Sequence, residues 1–438
     1  MPRKERKIIG PVELTDMAYG GEAVGRHEGM VVFVSGGAVG DVANVDVTIT
    51  RRSFARGRIV ELIEPSKLRT EPPCPYFGSC GGCQWQHVRY QEQLAFKRHL
   101  VVEAFERIGH LAAEVQPTLG MAEPWHYRNT MEFGFTPEAE PGLRRLRGHR
   151  IVPIEECLIS RTEINEVLEL LWRAFARRER NAGDRAAADE PPPHAERLPH
   201  NAFVRVGDPS GVVVGLFGHG DWPDVAEMLA REYPPLAGVV QRKGRTSEKG
   251  RILFGVDYTV HELLGKRYRA GLASFFQVNR IQTEVLIRTA LAWLQPRPED
   301  MILDAYSGVG TFSLQLAEKV RSIVAVEASP SANADARINA SGYQNIQLVE
   351  GNFGEVPLPV GRVDGVVIDP PRGGCSPDAL DTLVRLSPER MVYVSCDPTT
   401  LARDAALLVQ AGYRLERVQP VDLFPQTYHI ETVALFLH

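Results

Sequence analysis

From about residue 271 onward the chain repeats one pattern: a short apolar run, a turn, then a helical stretch. MILDAYSG, SIVAVEAS, NIQLVEGN, VDGVVIDPP, RMVYVSCDP and a final ETVALFLH read as strands, with helices between most of them. Strands that are apolar at consecutive positions are covered on both faces, and their alternation with helices predicts a doubly wound α/β domain with a largely parallel sheet. Ligands of such a sheet bind beyond the carboxyl ends of its strands, where the strand order reverses. The residues that close each strand are therefore the place to look for chemistry.

The first strand ends in DAYSGVGTF, a glycine-rich turn that lets backbone approach a ligand closely, with Asp304 available to order it. The second ends in Glu327, about twenty residues further on, where a carboxylate accepts both hydroxyls of a ribose. Asn352 in VEGNF follows the third strand and suits an adenine edge. No lysine follows the glycines, which disfavours a loop that cradles phosphates. A strand-end acid taken singly more often caps a helix. Together with DAYSGVG and DPPR, Glu327 points to S-adenosylmethionine, a ribose-bearing cofactor without phosphates, rather than to NAD. The fourth strand, VVIDPPRGG, puts Asp369 at its tip. Methyltransferases acting on nitrogen usually carry an aromatic residue after such prolines; Arg372 stands here, which leaves a carbon acceptor.

The fifth strand delivers Cys396 and breaks at once into Asp-Pro-Thr-Thr. A free cysteine is commonly a small core residue. At the cofactor-facing edge of this sheet, beside Asp369, it is also a candidate nucleophile. Carbon 5 of a pyrimidine is too weakly nucleophilic to take a methyl group directly, and a thiolate adding to carbon 6 activates it. A base must then remove the carbon 5 proton, and FPQTYHIETV offers both His429 and Glu431. Cys375, in RGGCSPD, has no evident base or partner cysteine and reads as structural.

Upstream, residues 1–66 hold short alternating runs with Gly-Gly turns between, a small β-barrel pattern, and Arg51, Arg52, Arg56 and Arg58 could line one face. CPYFGSCGGCQWQH follows, then a helical pattern from Tyr90 to Ile108, then a mixed α+β region. Arg177 to Pro199 is charged, alanine-rich and proline-broken and reads as a flexible surface insertion. Six cysteines are too few for a disulfide scaffold, so clustering points to metal or catalysis. Cys74, Cys80 and Cys83, with Cys157 far downstream, suit zinc or a 4Fe-4S cluster; three ligands in one tight loop and a remote fourth favour the cluster. With 44% hydrophobic residues the chain can build full cores, and no apolar run nears the roughly 18 residues of a membrane span, so a soluble cytoplasmic protein is expected. The net charge of -5 does not mark a nucleic-acid binder, but the arginines are unevenly spread.

The motifs CPYFGSCGGCQWQH with Cys157, FFQVN, DAYSGVGTFSL, IDPPR, VSCDPTTLARD and HIETV, in this order, resemble the bacterial 23S rRNA uracil-5-methyltransferases of the iron-sulfur, TRAM-domain type. The resemblance covers nearly the whole chain. It implies an OB-like, RNA-binding TRAM barrel over 1–66 and a central α+β domain over 67–270, in which Cys74, Cys80, Cys83 and Cys157 hold a 4Fe-4S cluster and a helix near 88–117 packs on the catalytic domain. It further implies a Rossmann-like methyltransferase domain over 271–438. By motif, Cys396 resembles the nucleophile and Glu431 the base; Gln277, Tyr306, Thr311, Glu327, Asn352 and Asp369 resemble the cofactor shell; Phe275 would stack on the target base. Asp397 departs from the asparagine that often follows the cysteine in this family, and the 177–199 insertion is unusual in length. A uridine of 23S rRNA is the expected substrate and a monomer the expected state. A tRNA T-loop uridine is the nearest rival, and a non-catalytic RNA-binding protein a more distant one.

Overall fold

The computed structural model describes residues 7–185, 198–209, 211–243 and 250–438. At the N-terminus β1 (Lys7–Met17), β2 (Ala23–His27), β3 (Met30–Ser35), β4 (Val42–Thr50) and β5 (Phe54–Glu64) close into a barrel in the order β1-β2-β3-β5-β4. The two-residue period sets its faces. Val32, Val34, Ala55 and Gly57 point inward, while Phe33, Phe54, Arg56 and Arg58 point outward. A Cβ on Gly57 would lie 2.5 Å from Val45 Cγ1 and 2.6 Å from Asp46 O, so only glycine lets β4 and β5 close. The Arg56 guanidinium lies 5.3 and 5.7 Å from the centroids of Phe33 and Phe54. Arg51 and Arg52 are exposed at the β4–β5 turn.

The helix after the cysteine loop is shorter than 88–117. α1 (Tyr90–Ala104) passes into a single π-helical turn, Phe105–Gly109, and ends where His110 takes a left-handed φ of 51°. A Cβ on Gly109 would lie 2.9 Å from Ala402 O, so the chain is turned at the surface of the C-terminal part. Next come β6 (Thr130–Phe135), β7 (Pro141–Arg144), β8 (Ile151–Pro153), α2 (Thr162–Arg185), β9 (Asn201–Val206), β10 (Val212–Phe217), α3 (Pro223–Glu232), β11 (Leu236–Arg242) and β12 (Arg251–Gly255). Their seven strands form one sheet, β12-β11-β10-β9-β6-β7-β8. α2 buries Ile164, Val167, Leu168, Leu171 and Phe175 against it at helical spacing. The first nine residues of the expected flexible insertion are helical: Arg177 to Arg185 are mostly good helix formers and continue α2. Residues 186–197 of that segment lie outside the described residues, and Leu198 and Pro199 are buried.

The C-terminal part opens with a hairpin of β13 (Tyr258–Leu263) and β14 (Lys266–Gly271). It continues through α4 (Arg280–Leu294), β15 (Met301–Ala305), α5 (Thr311–Leu316), β16 (Ser322–Glu327), α6 (Pro330–Asn339), β17 (Ile346–Glu350), β18 (Gly365–Ile368), α7 (Pro377–Leu386), β19 (Arg390–Ser395), α8 (Pro398–Gln410), β20 (Arg414–Val421) and β21 (Glu431–Leu437). The sheet order is β17-β16-β15-β18-β19-β21-β20, and β21 alone runs against the others. The order reverses at β15, between β16 and β18. β20 was not among the strands expected from sequence: the first half of RLERVQPV is charged and solvated, and only its last four residues are buried.

α1 grips the loop between β20 and β21. Lys97 Nζ donates to Asp422 Oδ1 at 2.5 Å, both side chains fully buried, and to Phe424 O at 3.1 Å. Tyr90 Oη donates to the other Asp422 oxygen at 2.7 Å. Gln93 Nε2 reaches Gln426 Oε1 at 3.0 Å, while Gln93 Oε1 accepts from Gln426 N at 3.1 Å. Replacing one partner of a buried, hydrogen-bonded ion pair strands the other charge. Lys97→Met is expected to lower the unfolding free energy by about 3–5 kcal/mol in denaturant titration. The double variant with Asp422→Leu is expected to recover much of that loss; a single variant as stable as the parent would contradict the assignment.

Candidate active site

The carboxyl ends of β15, β16, β18 and β19 and the start of β21 surround one cavity of about 610 Å³. Gln277, Tyr306, Thr311, Glu327, Asn352, Asp369, Cys396 and Glu431 all line it, as do Phe275, Arg372 and His429. Residues up to 156 positions apart (275 to 431) meet there because a doubly wound sheet brings its strand ends to one edge.

The glycine turn after β15 is built for close approach. Tyr306 takes a left-handed φ of 66°, and Gly308 and Gly310 follow at 57° and 92°. Gly308 N donates to Glu327 Oε2 at 2.8 Å and Ser329 N to Glu327 Oε1 at 2.6 Å, so the acid is fixed at the cavity wall. Ser307 and Glu431 each carry a buried oxygen with no hydrogen-bond partner among the described residues, which leaves polar capacity for a ligand. The Asn352 side chain is exposed and donates to Glu355 Oε2 at 2.9 Å. Tyr306 also leans on Phe353, ring centroids 5.7 Å apart. Cys375 is buried between Tyr306 and Tyr393, and its backbone N donates to Asp404, in keeping with a structural thiol.

Three buried carboxyls stand at the ends of β15, β18 and β21, and all are pushed toward their neutral form. Burial raises Asp304 to about 7, with Glu327 adding to the rise and a hydrogen bond from Ser313 opposing it. Burial and then Asp304 raise Asp369 to about 7. Burial and Asp369 raise Glu431 well above the carboxylate range, against the pull of Arg372. The Cys396 thiol rises to about 11 through burial first and Glu431 second, again opposed by Arg372. Burial holds His429 down at about 4, so the imidazole is neutral around pH 7. Phe275 projects at the cavity rim, 70% exposed, from a turn fixed on both sides: Arg205 donates to Gly271 O and Ser274 O at 2.9 Å, and Asp335 accepts from Gly271 N and Ser274 Oγ at 2.7 and 2.6 Å.

A second cavity, of about 420 Å³, collects Cys74, Cys80, Cys83 and Cys157 with Arg144, Arg145 and Arg147 at its side. The loop is held by Ser79 N and Cys80 N on Tyr76 O, and Cys157 N is held by Asn165 Oδ1 at 2.9 Å. Gly82 N donates to Cys80 Sγ at 3.3 Å. Burial raises Cys80 to about 11 and Cys83 to about 12, and the neighbouring thiols add to both. Among the described residues, no three of these sulfurs lie within 4.8 Å of one another.

A family model described as tRNA (Uracil-5-)-methyltransferase matches residues 219–438, and a TRAM domain model matches residues 3–60. The chain is 36% identical to an uncharacterized RNA methyltransferase of Halalkalibacterium halodurans, over 97% of this chain and 96% of the relative. It is likewise 36% identical to one of Gloeobacter violaceus, over 97% and 95%. Among solved structures it is similar to the Pyrococcus abyssi tRNA (uracil-54, C5)-methyltransferase in complex with S-adenosyl-L-homocysteine: TM-score 0.72 and 26% identity, over 97% of this chain and 99% of that one. Fold, cavity and likeness together define an S-adenosylmethionine-dependent RNA methyltransferase with an N-terminal TRAM barrel. The chain belongs to the tRNA (uracil-5-)-methyltransferase family. Among the described residues no helix is long and apolar enough to cross a membrane.

Sequence reasoning missed the groups that come from outside the methyltransferase sheet. Tyr19, Gln93 and Lys97 carry no motif, and only the folded chain sets them beside residues more than 300 positions away. Arg372 was noted for what it excludes, and its pull on both Cys396 and Glu431 appears only in three dimensions.

A cationic sulfonium bound in this cavity would favour the ionised forms of Asp369, which lines it, and of Asp304 behind it, whereas the neutral sulfur of S-adenosylhomocysteine would not. With both acids near pH 7, S-adenosylmethionine is expected to release more protons on binding than S-adenosylhomocysteine. Calorimetry at pH 7 in buffers of different ionisation heat reads this directly; equal release for both ligands would contradict it.

Proposed function

We propose that Cys396 is the nucleophile and Glu431 the base of a methyl transfer to carbon 5 of a uridine in 23S rRNA. The observation that carries this is the meeting of both residues with all six expected cofactor-shell residues in one cavity. S-adenosylmethionine, bound along Glu327, Asn352, Gln277, Tyr306, Thr311 and Asp369, supplies an electrophilic methyl group. Everything else falls to the side chains. Phe275 stacks on an extruded base at the rim, the usual way to hold one. Cys396 starts protonated, and the Asp369 carboxylate beside it is the group that can take its proton, which leaves Glu431 free for the later step. Arg372 favours the thiolate that results. Addition of sulfur to carbon 6 moves electron density to carbon 5, which then accepts the methyl group. Glu431, in its ionised form, removes the proton from carbon 5, the double bond re-forms, and the cysteine sulfur leaves as a thiolate that takes its proton back from Asp369. A carboxyl of raised pKa is suited to this exchange near neutral pH.

The likeness to the Pyrococcus enzyme supports a second reading, the same chemistry on a tRNA uridine. The outward Phe33, Phe54, Arg56 and Arg58 of the barrel supply aromatic and cationic contacts for either RNA. The four cysteines are proposed to hold a 4Fe-4S cluster in the domain over 67–270. Three cysteines in one loop and a remote fourth, gathered at one cavity, support the cluster reading. The amide donated to Cys80 Sγ is the kind of bond that steadies such a group. Iron and sulfide assay after anaerobic purification tests this; stoichiometric zinc without sulfide would refute it.

Glu431→Gln is expected to accumulate a covalent RNA adduct on unmodified substrate, seen as a shifted band on denaturing gels. Turnover at the parental rate would remove Glu431 from the role. Mapping of 5-methyluridine in rRNA and tRNA from a strain lacking the gene decides the substrate: a missing 23S site supports the first reading, and a missing tRNA site the second.

A further inference from the structure

The turn between β1 and β2 of the barrel packs behind two segments that carry cavity-lining residues, Cys396 and His429. Tyr19 Oη lies 3.4 Å from Cys396 O and 3.3 Å from Asp397 Oδ2. The Tyr19 ring meets Tyr428 edge-on, centroids 5.5 Å apart, and Tyr428 lies against His429 at 4.2 Å. One barrel side chain thus touches both the segment that carries Cys396 and the segment that leads into Glu431.

The turn presenting it is fixed. Ala18 N donates to Glu22 O at 2.8 Å and Gly21 N to Ala18 O at 3.0 Å. Trp85 Nε1 donates to Gly21 O at 3.3 Å. Gly21 has a φ of 86°, and a Cβ there would meet Gln84 Cβ at 2.9 Å and Tyr428 Cδ1 at 3.2 Å.

The two oxygens of Asp397 divide their work. Oδ1 caps α8 by accepting from Thr399 N at 2.9 Å and Thr400 N at 3.3 Å. Oδ2 is the oxygen that faces Tyr19. Burial first, and the Asp397 carboxylate second, push the phenol upward, so it stays a donor. A phenylalanine would fill the same space, and packing alone gives no use for the hydroxyl.

We propose that Tyr19 is a positioning residue for Cys396, through which the RNA-binding barrel completes the geometry of the nucleophile. The hydroxyl holds the Cys396–Asp397 peptide from outside the catalytic domain, and the ring holds the Tyr428–His429 segment. The barrel then sets the rate of the chemical step as well as affinity for RNA. The proposal rests on the reading of Cys396 as the nucleophile.

The test is Tyr19→Phe, which keeps the ring and removes the hydroxyl. Rates of adduct formation are measured with 5-fluorouridine RNA at saturating concentration in the presence of S-adenosylmethionine, alongside RNA affinity and the thermal midpoint. The expected result is a rate about tenfold lower, the worth of one hydrogen bond, with affinity unchanged and the midpoint lowered by at most about 4 °C. Tyr19→Leu, which also removes the ring contact, is expected to be slower still. A wild-type adduct with an unslowed Tyr19→Phe overturns the role of Tyr19 alone, as does weaker RNA binding at an unchanged saturated rate. A wild-type chain that forms no adduct at Cys396 overturns the nucleophile reading and this proposal with it.

Discussion

The loop from Asp422 to Ile430 is the part of the catalytic centre that the sheet does not position by itself, and a buried ion pair holds it. Lys97 and Asp422 have no contact with water and satisfy each other together with Tyr90 Oη and Phe424 O. Such a pair gives little net stability compared with apolar packing, but it accepts few alternative arrangements. Gln93 and the backbone amides of Gln84 and Trp85, next to Cys83, add four bonds to Gln426. The segment that presents His429 and Glu431 is therefore fixed by α1 and the cysteine loop. This is a physical reason for one chain to keep a cysteine-rich domain beside a methyltransferase sheet: the domain holds from behind a loop that lines the cavity.

Inside the cavity the dominant effect is desolvation. Asp304, Asp369, Glu431 and Cys396 are each pushed toward their neutral form chiefly by burial, and each carboxyl raises its neighbours further. A site of this kind holds protons that are easily displaced by a cation and easily passed between groups. Arg372, exposed at the rim, is the opposing charge, and it acts on both proposed reacting residues. A positively charged cofactor would draw these acids toward their ionised forms, and the raised thiol leaves Cys396 protonated near neutral pH.

The sheet and its ligand edge were legible in the sequence because both are local: an apolar run followed by Gly, Asp or Asp-Pro fixes where a strand ends, and the doubly wound topology brings those ends together. Cys396, Glu327 and Asp369 were found this way. Gln277, Tyr306 and Thr311 came from the resemblance, since nothing in their spacing marks them. β20 was missed because its exposed half is charged and its buried half ends in Pro-Val. The helix after the cysteine loop was legible from its apolar spacing, Tyr90 to Ile108, and it ends at Gly109, where packing against Ala402 turns the chain. Tyr19 and Lys97 could not be read at all, because their partners lie 378 and 325 residues away and no local pattern encodes such contacts.

The central claim is that a thiol delivered by the fifth parallel strand is the group that bonds the substrate. It is tested most directly by digesting the complex formed with 5-fluorouridine RNA and S-adenosylmethionine and finding the modified peptide by mass spectrometry. The expected product is a methylated fluorouridine fragment attached to the peptide containing Cys396, lost in Cys396→Ala. An adduct on another residue, or one that persists in Cys396→Ala, would contradict it.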